Sequence, residues 1–86
     1  MRMYTFSEFV QEFRYHAFAS HKVKREDGKF SHGFLYVLSD EISMEQKKRL
    51  SEYDNVKILV TQSEYAPEQK KPAIFIGKSA IKGGKK

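Results

Sequence analysis

Apolar residues recur at helical spacing near the start of the chain, at Phe6, Phe9, Val10, Phe13 and Ala17. They follow Thr5-Phe6-Ser7-Glu8, whose first and last residues have the form of a capping box. The spacing predicts a helix from Phe6 to about residue 20 with one apolar face. Arg14, Tyr15, Phe18 and Lys22 fall away from that face. This second stripe, aromatic and cationic, is a candidate contact for a protein partner.

The period then changes. Residues 21–26 and 29–38 are extendable runs flanking Asp27-Gly28, a dipeptide suited to a two-residue hairpin turn because both turn positions want positive φ. Such a turn pairs Glu26 with Lys29, Arg25 with Phe30 and Val23 with His32. Alternation then puts His21, Val23, Arg25, Phe30, His32, Phe34 and Tyr36 on one face. Ser31, Gly33, Leu35 and Val37 lie on the other, which helices are expected to cover. Ser43-Met44-Glu45-Gln46 opens a second capped helix running to about Tyr53, with Leu50 and Tyr53 facing inward. The β-branched run at 56–61 suits a central strand, residues 63–72 read as a polar loop holding both prolines, and 73–76 as a last short strand with a free edge.

The expected class is therefore α+β, a small sheet containing a β-hairpin with two helices on one face. If residues 1–4 are also extended, the order becomes β-α-β-β-α-β, the ferredoxin-like arrangement. At 86 residues the chain allows one domain, placed at 1–81, with a flexible basic tail at 82–86 where two glycines stand among lysines.

Charge is distributed unevenly along the chain. The net +5 arises wholly within residues 66–86, which carry Lys70, Lys71, Lys78, Lys82, Lys85 and Lys86 against Glu68 alone. Residues 1–65 hold ten basic and ten acidic side chains and sum to zero. A polyanion is the simplest partner for such an end. The absence of Cys excludes disulfides and thiolate chemistry. No apolar run suits a membrane span or signal peptide, so a cytoplasmic, membrane-free setting is expected.

Aromatics, imidazoles and a guanidinium on one hairpin face supply what single-stranded nucleic acid uses, π faces for bases beside cations for phosphates. Arg25, His32, Phe34 and Tyr36 are the candidate base contacts, and the six lysines of the C-terminal quarter the phosphate contacts. No cofactor is expected, and the three histidines lack a short metal-ligand spacing. Two other readings stand beside this one. A protein-binding inhibitor or adaptor would use Arg14, Tyr15 and Phe18 or the edge of strand 73–76. A small ribonuclease would use His21 and His32 as acid and base with Arg25 on the phosphate. A non-enzymatic RNA-binding protein, with single-stranded DNA as the other substrate, is the favoured expectation.

Two resemblances bear on this. His32-Gly33-Phe34-Leu35-Tyr36-Val37 resembles the core of the RNP1 signature of the RNA recognition motif, in which a basic residue precedes Gly, an aromatic, a small residue, an aromatic and Val. The match makes Phe34 and Tyr36 the stacking aromatics. His32, Leu35 and Ser39 depart from the pattern, and residues 1–4 offer no companion RNP2 strand. In length, composition and its Lys-rich end, the chain is also similar to small early proteins of T-even bacteriophages. Some of these are basic, RNA-associated inhibitors of toxin ribonucleases. That resemblance implies a counter-defence role in a host cytoplasm, with a host nuclease or toxin as partner.

Overall fold

A computed structural model describes residues 2–62 and 70–81. The elements run α1 (Phe6–Glu12), β1 (Tyr15–Lys24), β2 (Phe30–Leu38), α2 (Met44–Leu50), β3 (Val56–Gln62) and β4 (Lys70–Gly77). The four strands form one antiparallel sheet in the order β1-β2-β4-β3. The α+β class with two helices against a small sheet is the fold that forms. Its connectivity is α-β-β-α-β-β, not ferredoxin-like, because residues 2–5 form no strand. They are held instead by the turn before β3. The Arg2 carbonyl accepts from Asp54 N–H at 2.7 Å, and Tyr4 N–H donates to the Asn55 side chain at 2.8 Å.

Both capping boxes form. Thr5 accepts from the Glu8 amide at 3.2 Å and Ser43 from the Gln46 amide at 3.1 Å, with the reciprocal side-chain bonds in place. The helices are shorter than periodicity predicts. α1 stops at Glu12 rather than near residue 20, and the chain becomes extended at Phe13. Residues 15–24 instead join the sheet as an edge strand, where pairing with β2 outweighs a weak helical preference. A register irregularity between Tyr15 and Ala17 interrupts the two-residue period there and hides the strand in the sequence. Of the expected apolar face, Phe9 and Phe13 are buried, Phe6 and Val10 stay exposed, and Ala17 lies in β1. α2 ends at Leu50 rather than Tyr53, although both side chains do face inward.

The main core cluster lies between the helices and one face of the sheet, and Ala73 and Phe75, which alternate to the other face, are also fully buried. Phe9, Leu38, Leu50 and Ile74 are almost completely buried in the main cluster beside Tyr4, Phe13, Tyr36, Ile42, Tyr53 and Val56. Each large apolar side chain so placed contributes about 1.5–3 kcal/mol. A bidentate Arg49–Glu12 pair joins α2 to α1 across the exposed rim. Buried Asn55 closes the other end. Its amide donates to the Tyr4 carbonyl at 3.0 Å and the Gly77 carbonyl at 2.9 Å.

Two strand positions differ from expectation. β3 is an edge strand and not central, whereas β4 is paired on both sides, by β2 and by β3, so it has no free edge to offer a partner. β4 also begins at Lys70, within the expected loop. Pro72 is tolerated because it sits beyond the last β2 pairing, Val37 with Ala73, and faces only Val60 of β3.

Candidate nucleic-acid interface

The hairpin turn decides which residues share a face. Gly28 N–H donates to the Arg25 carbonyl at 3.1 Å, and Arg25 N–H to the Lys29 carbonyl at 2.6 Å. Among the described residues only Gly28, at φ +91°, is left-handed. The loop therefore has three residues, Glu26, Asp27 and Gly28, closed by a glycine in the manner of a bulged hairpin, and not two. That one-residue difference moves the register. Lys24 pairs with Phe30, Lys22 with His32, Ser20 with Phe34 and Phe18 with Tyr36. Opposite residues of an antiparallel pair point to the same side, so these eight side chains share a face.

It is the face the helices cover, contrary to the sequence-based expectation, which placed Leu35 and Val37 beneath them. The helices reach only part of it. Tyr36 is 8% exposed and belongs to the core, which raises its phenol pKa chiefly through desolvation and further through Tyr15. It is therefore no surface for a base. Phe34 is half-buried, while His32 and Phe30 on β2 and Ser20, Lys22 and Lys24 on β1 are exposed. Phe18 is 59% exposed, with its ring 6.0 Å from both Phe34 and Tyr36. Phe6 extends the aromatic surface from α1, 5.5 Å from Tyr36.

A groove of about 600 Å³ lies in this strip, its walls including Ser20, Lys22, His32, Phe34 and Lys78. Lys78 arrives there because its N–H donates to the His32 carbonyl at 2.8 Å, which continues the β2–β4 pairing past Gly77. The Lys22 ammonium sits 4.6 Å from the centroid of the Phe30 ring. A cation on an exposed ring is worth about 0.5–1 kcal/mol. Neither β1 nor β2 contains an Asp or Glu. The acidic side chains of the hairpin are confined to its tip, where Arg25 is bound to Asp27 through both carboxylate oxygens.

Of the base contacts expected from sequence, the structure brings together His32 and Phe34 and adds Lys78 from the basic end. Arg25 is not among them, because the three-residue loop puts it in the turn, bonded to Asp27 and to Ser79 Oγ at 3.5 Å. Lys70 and Lys71 stand at the far end of β4, seven or eight residues from Lys78 and so roughly 24 Å or more along an extended strand. Lys71 also pairs with Thr61, on the face away from the helices. Lys82, Lys85 and Lys86, and with them the expected tail, lie outside the described residues.

The expected partner stripe does not form on a helix, although Tyr15 and Phe18 meet on β1 with their rings 6.0 Å apart. Arg14 is an exposed residue of the α1–β1 link, Tyr15 packs against the core and Phe18 belongs to the strip. Nor do His21 and His32 share a face. His21 pairs with Gly33 and its ring lies edge-on to Phe75 at 5.7 Å, whereas His32 pairs with Lys22. Sequence reasoning placed Phe30 on this face but missed Ser20, Lys22 and Lys24 as parts of the site. The signal was present, since residues 15–24 and 30–38 have lysines and aromatics and no acid, but the assumed turn distributed them wrongly.

Among the described residues no helix is long and apolar enough to cross a membrane, and no three His, Cys, Asp or Glu side chains cluster as a metal site. No family model, curated protein or solved structure matches the chain.

Proposed function

We propose that this is a non-enzymatic nucleic-acid-binding protein that takes single-stranded RNA along the uncovered part of its helix-side sheet face. One observation carries the reading. A strip of Phe18, Phe34, His32, Lys22 and Lys24 combines π faces with two ammonium groups on two strands free of carboxylates, and Lys78, just past β4, adds a third at the groove beside Lys22 and His32. Phosphates would be met by the three lysines, and bases by Phe18 and Phe34, each stacked base contributing about 1–3 kcal/mol. An oxygen-rich polyanion meets no repulsive charge on either strand, and splayed single-stranded bases find the rings that a duplex would leave unused.

Salt titration of binding to a fluorescently labelled single-stranded RNA tests it. Three phosphate contacts give a slope of about −2 in log K against log salt, and engagement of the remaining C-terminal lysines steepens it further. Lys22→Ala, Lys24→Ala and Lys78→Ala together should flatten that slope by about two units. No binding at low salt, or binding indifferent to salt, would overturn the proposal. A matched DNA strand in the same assay separates an RNA preference from general single-strand binding. The counter-defence setting rests on the resemblance to phage early proteins alone, and the binding proposal stands without it.

A further inference from the structure

We propose that Phe30 is a further base-binding subsite, capped in the free protein by Lys22 and uncovered when single-stranded nucleic acid draws that ammonium onto a phosphate. The inference rests on the nucleic-acid reading above and extends it to the hairpin's tip. Phe30 opens β2, is 46% exposed, and makes no contact with another aromatic ring among the described residues. Its ring face is met by the Lys22 ammonium instead. His32 and Phe34 follow at alternate positions of the same strand, so aromatic or imidazole rings recur roughly every 7 Å along one side.

Lys22 stands opposite His32, between Phe30 and the groove that Lys78 also lines. Rotation about its own side-chain bonds is enough to move the charge from the ring into the groove. A cation on an exposed ring is held less strongly than a stacked base, so the exchange runs toward the nucleic acid. A polyanion without bases would take the ammonium and leave the ring bare. Only a ligand with unstacked bases replaces what the ring loses, which identifies single-stranded nucleic acid as the occupant.

The chain contains no Trp, so Phe30→Trp introduces a single indole at a half-exposed position. That variant is titrated at low salt with octauridylate and, separately, with heparin, following indole emission alongside the anisotropy of labelled octauridylate. Octauridylate should quench the emission and heparin should not. Adding Lys22→Met should shift the emission of the free protein while the octauridylate quench persists. Phe30→Ala should weaken octauridylate binding by about 5- to 150-fold with an unchanged thermal midpoint. Octauridylate binding without quenching, or equal quenching by heparin, overturns the subsite and leaves the nucleic-acid reading standing. An unshifted free-protein emission in the double variant overturns the cap. Absence of any binding at low salt overturns both readings together.

Discussion

Asn55 carries more of this fold than its position in a turn implies. It is 1% exposed, and its side chain completes three hydrogen bonds to the backbone of Tyr4 and Gly77. Its own carbonyl accepts from Gly77 N–H at 2.8 Å. Asn55→Ala would strand two buried carbonyls and an amide, each costing about 1–3 kcal/mol before relaxation. A loss of about 3 kcal/mol is expected, read as a lower urea midpoint at unchanged slope. Asp27 offers a second test. The Arg25 guanidinium, and then the Lys29 amide, hold its carboxyl at about 2, below the ordinary value of 3.8. A carboxyl depressed in the folded state stabilises the fold above its unfolded pKa, and that contribution disappears as pH falls from about 4 to about 2. Asp27→Asn should therefore lower stability at neutral pH and remove this part of the acid dependence, as followed by unfolding midpoints across that window.

Among the elements, the hairpin has the sharpest requirement. Gly33 on β2 faces Gly77 on β4, and a Cβ at Gly33 would lie 2.1 Å from the Ile76 carbonyl oxygen and 2.8 Å from the Gly77 Cα. Both obstacles are backbone, so the strands themselves would have to part. Gly33→Ala is expected to cost about 3 kcal/mol or more and to disturb the amide signals of residues 32–34 and 76–78 in a heteronuclear NMR spectrum. Unperturbed signals would show that β2 and β4 do not approach this closely. The capping boxes, by contrast, are complete within four residues, so both helix starts were legible in the sequence. Helix ends were not. α1 gives way to β1 because residues 15–19 find pairing partners 16 to 23 places further along the chain, a preference that no local window contains.

For the whole molecule, affinity and stability should separate. Phe18 is 59% exposed and lies at the edge of the core, whereas Tyr36, directly across from it, is buried. Phe18→Ala should weaken single-stranded RNA binding by about 1–3 kcal/mol with stability changed by less than about 1 kcal/mol. Tyr36→Ala should destabilise the fold by about 3–5 kcal/mol. Paired binding isotherms and urea curves for the two variants check both statements. Equal, small effects on affinity would remove Phe18 from the interface.

What depends on near neighbours or on composition can be read directly from the chain. Both helix starts, the hairpin's location, the α+β class and the lack of cysteine chemistry follow from residues a few places apart or from simple counts. Which side chains meet is settled only by folding. A glycine-closed loop of three residues, where two were expected, moved the hairpin by one position. Because strand side chains alternate with a period of two, that single step sent Phe18, Lys22 and Lys24 to the same face as His32 and Phe34 and parted His21 from His32. Charge followed the same logic. The first 65 residues are balanced when counted, yet folding places Lys22 beside Lys78 at the groove, with Lys24 two positions further along a strand that holds no acid. Balance along a chain does not constrain the field above a surface, since the field depends on where pairing brings the charges.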